Sequence, residues 1–411
     1  MPEKLDITEP QTPNPETRTL MNFPKIVLQN SKADAVRRFH PWIFSGAIKQ
    51  KDPELQEGAI AEVFSASGDF LAIGHYCGGN IAVKILSFEP VESVEKLFLD
   101  RFHRAYEVRQ QVGLAESEAT NCYRLVNAEG DGLPGLIVDW YNGTAVMQAY
   151  SLGMYEQRSQ IVKCLQAVYG DRLKAVYDKS ATVLSKAQST NQYLFGEKTD
   201  GVVLEHGHRF VVDWEEGQKT GFFLDQREHR QLLAQYAKGK RVLNTFCYSG
   251  GFSVYAVDAG AEVVHSVDSS AKAIALTEEN IALNNPDQVE NESVDADVFD
   301  YLKGCDPVYD IIILDPPAFA KNLSARHQAV MAYKRLNQMA FDKLRPGGMV
   351  FTFSCSQVVT PDLFKGAVMA GAIESRKAIQ VLHSLAQPAD HPISIYHPEG
   401  LYLKGLVLSV E

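Results

Sequence analysis

The six cysteines, Cys77, Cys122, Cys164, Cys247, Cys305 and Cys355, form no C-x-x-C pair. Their dispersal excludes a zinc ribbon and a disulfide framework, and it fits a reducing compartment; no metal is expected. No apolar run is long enough to span a bilayer, and no secretory signal follows Met1. The expectation is a cytoplasmic protein with no membrane partner. Cationic side chains are in deficit, 40 Lys and Arg against 51 Asp and Glu, for a net charge of −11. That argues against a nucleic-acid partner without excluding one, because a local basic face can bind phosphates while the rest is acidic. The dinucleotide fingerprint G-x-G-x-x-G is missing from the glycine turn that opens the nucleotide-type unit, where residues 248–253 read Y-S-G-G-F-S.

What is present is a chain of 411 residues, 45% apolar and 22% charged. It exceeds one typical domain, so two or three cores are expected. Residues 240–268 organise it: K-R-V-L-N-T-F-C-Y-S-G-G-F-S-V-Y-A-V-D-A-G-A-E-V-V-H-S-V-D. An apolar run, a paired-glycine turn, a helical run and a second apolar run ending in an acid spell the opening β-α-β of a doubly wound sheet. Asp268 stands where a carboxylate can accept from ribose hydroxyls. Without amides aimed at a pyrophosphate, a nucleoside lacking phosphates fits best, and S-adenosylmethionine is the commonest. A plain structural turn with a solvated Asp268 is the alternative.

The rest reads as domains around that unit. Residues 1–22 form a mobile tail rich in Pro, Thr, Glu and Asn. Residues 23–90 form a small β-rich domain, 91–214 a middle α/β domain and 215–411 the doubly wound domain. In the first, Arg37 and Arg38 lie beside His40, Trp42 and Phe44, mixing cations for phosphate with rings for bases. The competing reading makes Trp42 and Phe44 core and leaves the arginines solvated. The helix over 91–111 carries Arg101, Arg104 and Arg109, read as a solvated face. Asp225 stands where a helix begins, as a cap, or walls the cofactor site with Phe222, Phe223, Gln226 and Arg227. After Asp268 come a helix, a short strand ending near Asp297, and an apolar central strand over 309–314. Asp297 either accepts from the adenine amino group or caps the next helix. Asp315 heads D-P-P-A-F-A-K, and Pro316-Pro317 fixes it at the carboxyl edge of the sheet. A fifth strand over 349–353 ends in S-C-S, which places Cys355 beside Asp315 as a nucleophile; Cys247 is its rival.

From about residue 34 onward the chain resembles bacterial large-subunit ribosomal RNA cytosine carbon-5 methyltransferases with an N-terminal PUA domain. The resemblance rests on R-R-F-H-P-W-I-F-S-G-A-I, D-G-L-P-G-L-I-V-D, K-T-G-F-F-L-D-Q-R, F-C-Y-S-G-G-F-S, D-P-P-A-F-A-K and S-C-S, in that order. It implies a class I, Rossmann-like methyltransferase domain on a seven-stranded sheet, preceded by a PUA-like pseudo-barrel and the middle α/β domain. It further implies S-adenosylmethionine as cofactor and large-subunit rRNA as substrate. Cys355 is then the nucleophile on carbon 6, and Asp315 meets ring nitrogen 3. Asn244, Phe246, Ser249, Gly250, Asp268, Ser269, Asp297, Asp315, Phe223 and Asp225 line the cofactor site, and Arg37, Arg38, His40 and Trp42 touch RNA. Asn244 replaces an acid common in class I enzymes. Three alternatives are carried: a methyltransferase of guanine or an exocyclic amine, one acting on a small molecule, and a non-catalytic RNA-binding protein. The modified nucleotide, the acceptor of the carbon-5 proton and the oligomeric state, a homodimer included, are not legible.

Overall fold

The computed structural model describes residues 23–184, 189–284 and 289–411; the expected tail over 1–22 lies outside the described residues. Among these residues the strands group into four sheets. The first has the order Trp42–Phe44, Ile81–Ser87, Phe70–Tyr76, Ile60–Phe64, Lys25–Leu28, Ile48–Lys51. Its strand Ile60–Phe64 buries alternate residues, so Ala61 and Val63 reach the core while Glu62 stays outside.

The second sheet has five strands, Gln192–Phe195, Ala175–Asp178, Thr144–Ala149, Leu136–Tyr141 and Cys122–Asn127. Asn142 and Gly143 join two of them with φ of +44° and +103°, the left-handed pair that a tight hairpin demands. Two helices, Leu152–Glu156 and Arg158–Tyr169, follow the strand Thr144–Ala149. The hairpin Val202–Glu205 and His208–Val211 leads into the last sheet.

That sheet has seven strands in the order Glu290–Asp295, Val263–Asp268, Arg241–Thr245, Tyr309–Leu314, Leu344–Ser354, Lys404–Val410, Ile379–Leu385. Lys404–Val410 alone runs antiparallel to both its neighbours. The order reverses between Arg241–Thr245 and Tyr309–Leu314, and ligands of such sheets bind in the crevice at that switch point. Ile311, Ile312, Ile313 and Leu314 are fully buried at the centre, each worth roughly 1.5–3 kcal/mol of hydrophobic burial. The fifth strand starts earlier than expected. Arg345–Gly348 lies inside it, and the pairing jumps from Tyr309↔Leu344 to Ile311↔Met349, so a bulge absorbs a turn-like sequence.

The charged helix Val94–Gln111 departs from its expected solvated face. Arg109 is fully buried. It donates to both carboxylate oxygens of Asp131, at 2.6 and 2.8 Å, and to the backbone oxygens of Arg124 and Asp390, each at 2.7 Å. A guanidinium can be buried only when its donors are matched this fully. The hydrogen bond to Asp390 bridges 281 positions of sequence, which no local pattern encodes.

Candidate active site

The paired-glycine turn after Arg241–Thr245 is strained. Phe246 and Tyr248 hold φ of +55° and +48°, a region aromatic residues rarely adopt outside functional loops. Gly250 has φ of +70°, and a Cβ there would lie 2.7 Å from Thr277 Cγ2. Glycine therefore lets the helix Ala271–Ala282 pack against the turn. That helix also ties the turn down: Thr277 donates to the Tyr248 carbonyl at 3.0 Å and Asn280 to the Ser249 carbonyl at 2.9 Å. Asp268 accepts from the amides of Tyr248 and Ser270 at 3.1 and 3.0 Å, one on each oxygen.

The residues fit a nucleoside cofactor with an amino-acid tail. Asn244 donates to Ser253 Oγ at 2.9 Å, but its Oδ1 is buried without a hydrogen-bond partner. A stranded amide oxygen suits an ammonium donor. Phe223 meets Tyr248 edge to face at 5.1 Å, so the segment before the first strand walls the same turn. Ser249 is buried beside it, and Ser269 is exposed at the tip of the second strand. Asp297 caps the helix Val298–Gly304 by accepting from the Asp300 amide at 3.1 Å.

Asp225 is not a helix cap. It lies in the 3-10 turn Leu224–Gln226, ahead of the helix Arg227–Ala237. Its carboxylate accepts from the Tyr402 hydroxyl at 2.7 Å and pairs with Lys219 at 3.5 Å. Burial works against its charge, but Lys219 and His391 outweigh burial and hold its pKa well below the usual carboxylate range. Asp315 behaves oppositely. Burial and the neighbouring Asp225 charge push it up to about 7, so near neutrality it is a proton donor as well as an acceptor. Arg227, expected as a cofactor wall, is buried behind the site and donates to Asp390 at 2.6 Å.

Strand register brings the ends of Tyr309–Leu314 and Leu344–Ser354 together, with Leu314 opposite Thr352, and sets Ser354 opposite Lys404 of the next strand. Cys355 follows and opens into a cavity of about 550 Å³. Its walls come from three sheets and their connections: Trp42 and Lys84 from the first, Arg124, Glu129 and Tyr150 from the second, Lys219, His397 and Tyr402 from the last. Burial raises the Cys355 thiol pKa; Lys219 and Lys404 oppose it, while Asp315 and Asp225 reinforce it. Cys247 does not line this cavity. It sits under the turn, 7% exposed and 3.5 Å from Thr277 Oγ1, with a thiol pushed up to about 12 by burial.

Trp42 is neither core nor free. Its Nε1 donates to Glu129 at 2.7 Å, and its ring lies 4.3 Å from that of His397. His40 packs beside them, 5.7 Å from the His397 ring. Phe44 is 52% exposed, contrary to a core role. Arg37 and Arg38 are both exposed, and Arg37 reaches Asp34 and Asp69 at 3.4 and 3.7 Å. Sequence reading missed His229 and Lys404. Lys404 alone left a signal: a lysine in an otherwise apolar strand, buried when folded.

Comparison with known proteins agrees with this geometry. The S-adenosylmethionine-dependent methyltransferase family matches residues 124–395, and a PUA-like domain matches residues 26–88. The chain belongs to the S-adenosylmethionine-dependent methyltransferases, in the branch that carries an N-terminal PUA-like domain. More particularly, it is 38% identical to ribosomal RNA large subunit methyltransferase I of Aeromonas hydrophila, over 93% of this chain and 98% of that one. It is 36% identical to the Escherichia coli protein of the same name, over 94% and 99%. Among solved structures, a methyltransferase complexed with S-adenosylhomocysteine aligns with a TM-score of 0.81 at 26% identity, covering 94% of this chain and all of that one. A Streptococcus mutans chain described as S-adenosylmethionine-dependent aligns with a TM-score of 0.80 over the same shares. The cofactor is therefore S-adenosylmethionine. No helix among the described residues is long and apolar enough to cross a membrane.

Proposed function

We propose that this enzyme methylates carbon 5 of a cytosine in large-subunit ribosomal RNA, in the cytoplasm, through a covalent bond from Cys355 to carbon 6. The observation that carries the reading is a cysteine lining a cavity walled by residues of three sheets and their connections, close enough to an aspartate of raised pKa for that carboxyl to act on the thiol. The substrate class comes from the relatives' name and the PUA-like domain. Residues 23–90 and 91–214 then present RNA to a catalytic domain over 215–411, and one chain supplies the whole site.

Carbon 5 of cytosine is a poor nucleophile. The Cys355 thiolate adds to carbon 6, and Asp315 gives its proton to nitrogen 3 as charge builds on the ring. Carbon 5 becomes enamine-like. S-adenosylmethionine supplies the electrophilic methyl group. A base then takes the carbon-5 proton, the electron pair of that bond restores the double bond to carbon 6 as the carbon–sulfur bond breaks and the thiolate leaves, and nitrogen 3 returns its proton to Asp315. Asp268 would hold the ribose, Asn244 Oδ1 the ammonium, and Phe246, Ser249, Gly250, Ser269, Asp297, Phe223 and Asp225 the remaining walls of the cofactor site. Methylation of an amine or of guanine needs no thiol, and Cys355 opening into the cavity favours carbon 5.

RNA bearing 5-fluorocytosine at the target tests this, because fluorine cannot leave as a cation after methyl transfer. Wild type and Cys247→Ala should be trapped covalently. Cys355→Ala should not be trapped and should lose several orders of magnitude in methylation. Trapping that requires Cys247 instead would reverse the assignment of the nucleophile. Full methylation by both variants would return the amine or guanine reading.

A further inference from the structure

Two side chains and a carbonyl stand in line behind Asp315. The side-chain amide of Gln226 lies 2.9 Å from Asp315 Oδ2 and, at its other end, 2.5 Å from His229 Nδ1. His229 Nε2 lies 3.0 Å from the Ala386 carbonyl oxygen. Gln226 and His229 are 2% and 3% exposed, so water cannot repair a mismatch among them.

The inventory of donors leaves two solutions, one with a neutral ring and one with a cationic ring, and burial of His229 decides between them. A carbonyl oxygen only accepts, so His229 Nε2 carries a proton. In a neutral ring Nδ1 then holds a lone pair and needs a donor. With the amide nitrogen turned toward Asp315, the amide oxygen would meet that lone pair at 2.5 Å, acceptor against acceptor. A cationic ring would remove the clash. Burial, aided by Arg230 and opposed by Asp225 and the Ala386 carbonyl, pushes the ring's pKa down to about 4, and the ring stacks on Phe353 at 5.1 Å. The oxygen and nitrogen of an amide have the same outline, and the hydrogen-bond network assigns them. Turned by 180°, the Gln226 N–H donates to Nδ1 and its oxygen faces Asp315. That oxygen needs an O–H opposite it.

We propose that Gln226 and His229 form a positioning relay, anchored on the Ala386 carbonyl, that holds Asp315 protonated in the resting enzyme. This rests on the reading of Asp315 as the group that meets nitrogen 3. Around Asp315, burial and Asp225 favour its neutral form, against Lys219, Arg230 and the Gln226 N–H, and turning the amide takes that N–H away from the carboxyl. The proton stays on Asp315, directed at a neutral amide oxygen. As the thiolate adds and nitrogen 3 becomes the stronger base, the O–H turns and transfers its proton there, leaving a carboxylate. When the thiolate departs, the proton returns.

Nuclear magnetic resonance of the full-length enzyme without RNA tests this. Nitrogen-15 chemical shifts of His229 should show a neutral ring protonated on Nε2 at pH 7; an imidazolium overturns the relay. The Asp315 carboxyl, assigned with Asp315→Asn, is titrated by its carbon-13 resonance. In His229→Phe the freed amide can turn its N–H to the ionised carboxylate, so the Asp315 pKa should fall by about one pH unit. No change, or a rise, overturns the proposal, since removal of a cationic His229 would raise it. His229→Asn offers an amide oxygen where Nδ1 stood and should restore the wild-type titration. If His229→Phe fails to fold, the wild-type nitrogen-15 spectrum still decides. Neither measurement uses catalysis, and the fluorocytosine trap separately decides the methylated atom.

Discussion

Lys404 donates a 2.7 Å hydrogen bond from its ammonium to the carbonyl oxygen of Ser356, the residue after Cys355. The antiparallel register sets Lys404 opposite Ser354, so the lysine brackets the cysteine from the neighbouring strand. Burial pushes its own pKa down to about 8, which marks a cation kept in a poorly solvated place beside the thiol.

Removing that cation should make the thiol harder to ionise. Lys404→Met is expected to raise the Cys355 pKa and move the rising limb of iodoacetamide reactivity with pH upward. A limb displaced by about one pH unit slows alkylation at pH 7 about tenfold. Peptide mass spectrometry of Cys355 across pH reads this. An unmoved limb would show that Lys404 serves the fold only.

Asp268→Ala should weaken S-adenosylmethionine binding on the order of tenfold or more, from loss of charge-assisted bonds to ribose. The carboxylate also anchors the strained Tyr248 amide, so Asp268→Asn should recover only part of the loss. Titration calorimetry with unchanged affinity for Asp268→Ala would refute the placement.

RNA affinity should depend on Arg38 more than on Arg37, because Arg37 is already paired with Asp34 and Asp69. Each RNA phosphate left without its arginine should flatten the slope of log affinity against log salt by about 0.7–0.9. A double Arg37→Ala, Arg38→Ala variant with the wild-type slope would leave both arginines merely solvated. Cofactor affinity is the control and should not move.

The buried pair Arg227–Asp390 should carry stability. Burial disfavours the Asp390 charge, yet Arg227 and His391 outweigh it and hold the carboxyl pKa well below its ordinary value. Stability from this group is thus fully present above the unfolded carboxyl pKa of about 3.9 and lost as pH falls toward the folded one. Asp390→Ala leaves the buried Arg227 guanidinium with Glu205 at 3.7 Å as its remaining buried carboxylate, and should cost on the order of 3 kcal/mol by urea denaturation at pH 7. At pH 3 the difference between variant and wild type should shrink; a constant difference would contradict the ionic account.

Local pattern was enough for the strand–turn–helix–strand over 240–268, for Asp268 and Asp315 at strand ends, and for Cys355 beside Asp315. Each depends on periodicity, on glycine and proline geometry, or on the fixed order of parallel strands, all written in adjacent residues. The tertiary structure alone decided that Cys355 and not Cys247 opens into a cavity, since accessibility depends on what packs above each thiol. It alone turned Arg109, expected on a solvated face, and Arg227, expected as a cofactor wall, into buried ties through hydrogen bonds 281 and 163 positions apart. The same holds for Lys404 beside Cys355 and for Gln226 and His229 behind Asp315. A short polar side chain carries no mark in sequence of which distant carbonyl or carboxylate will meet it; only closure of the sheets brings them within hydrogen-bond reach.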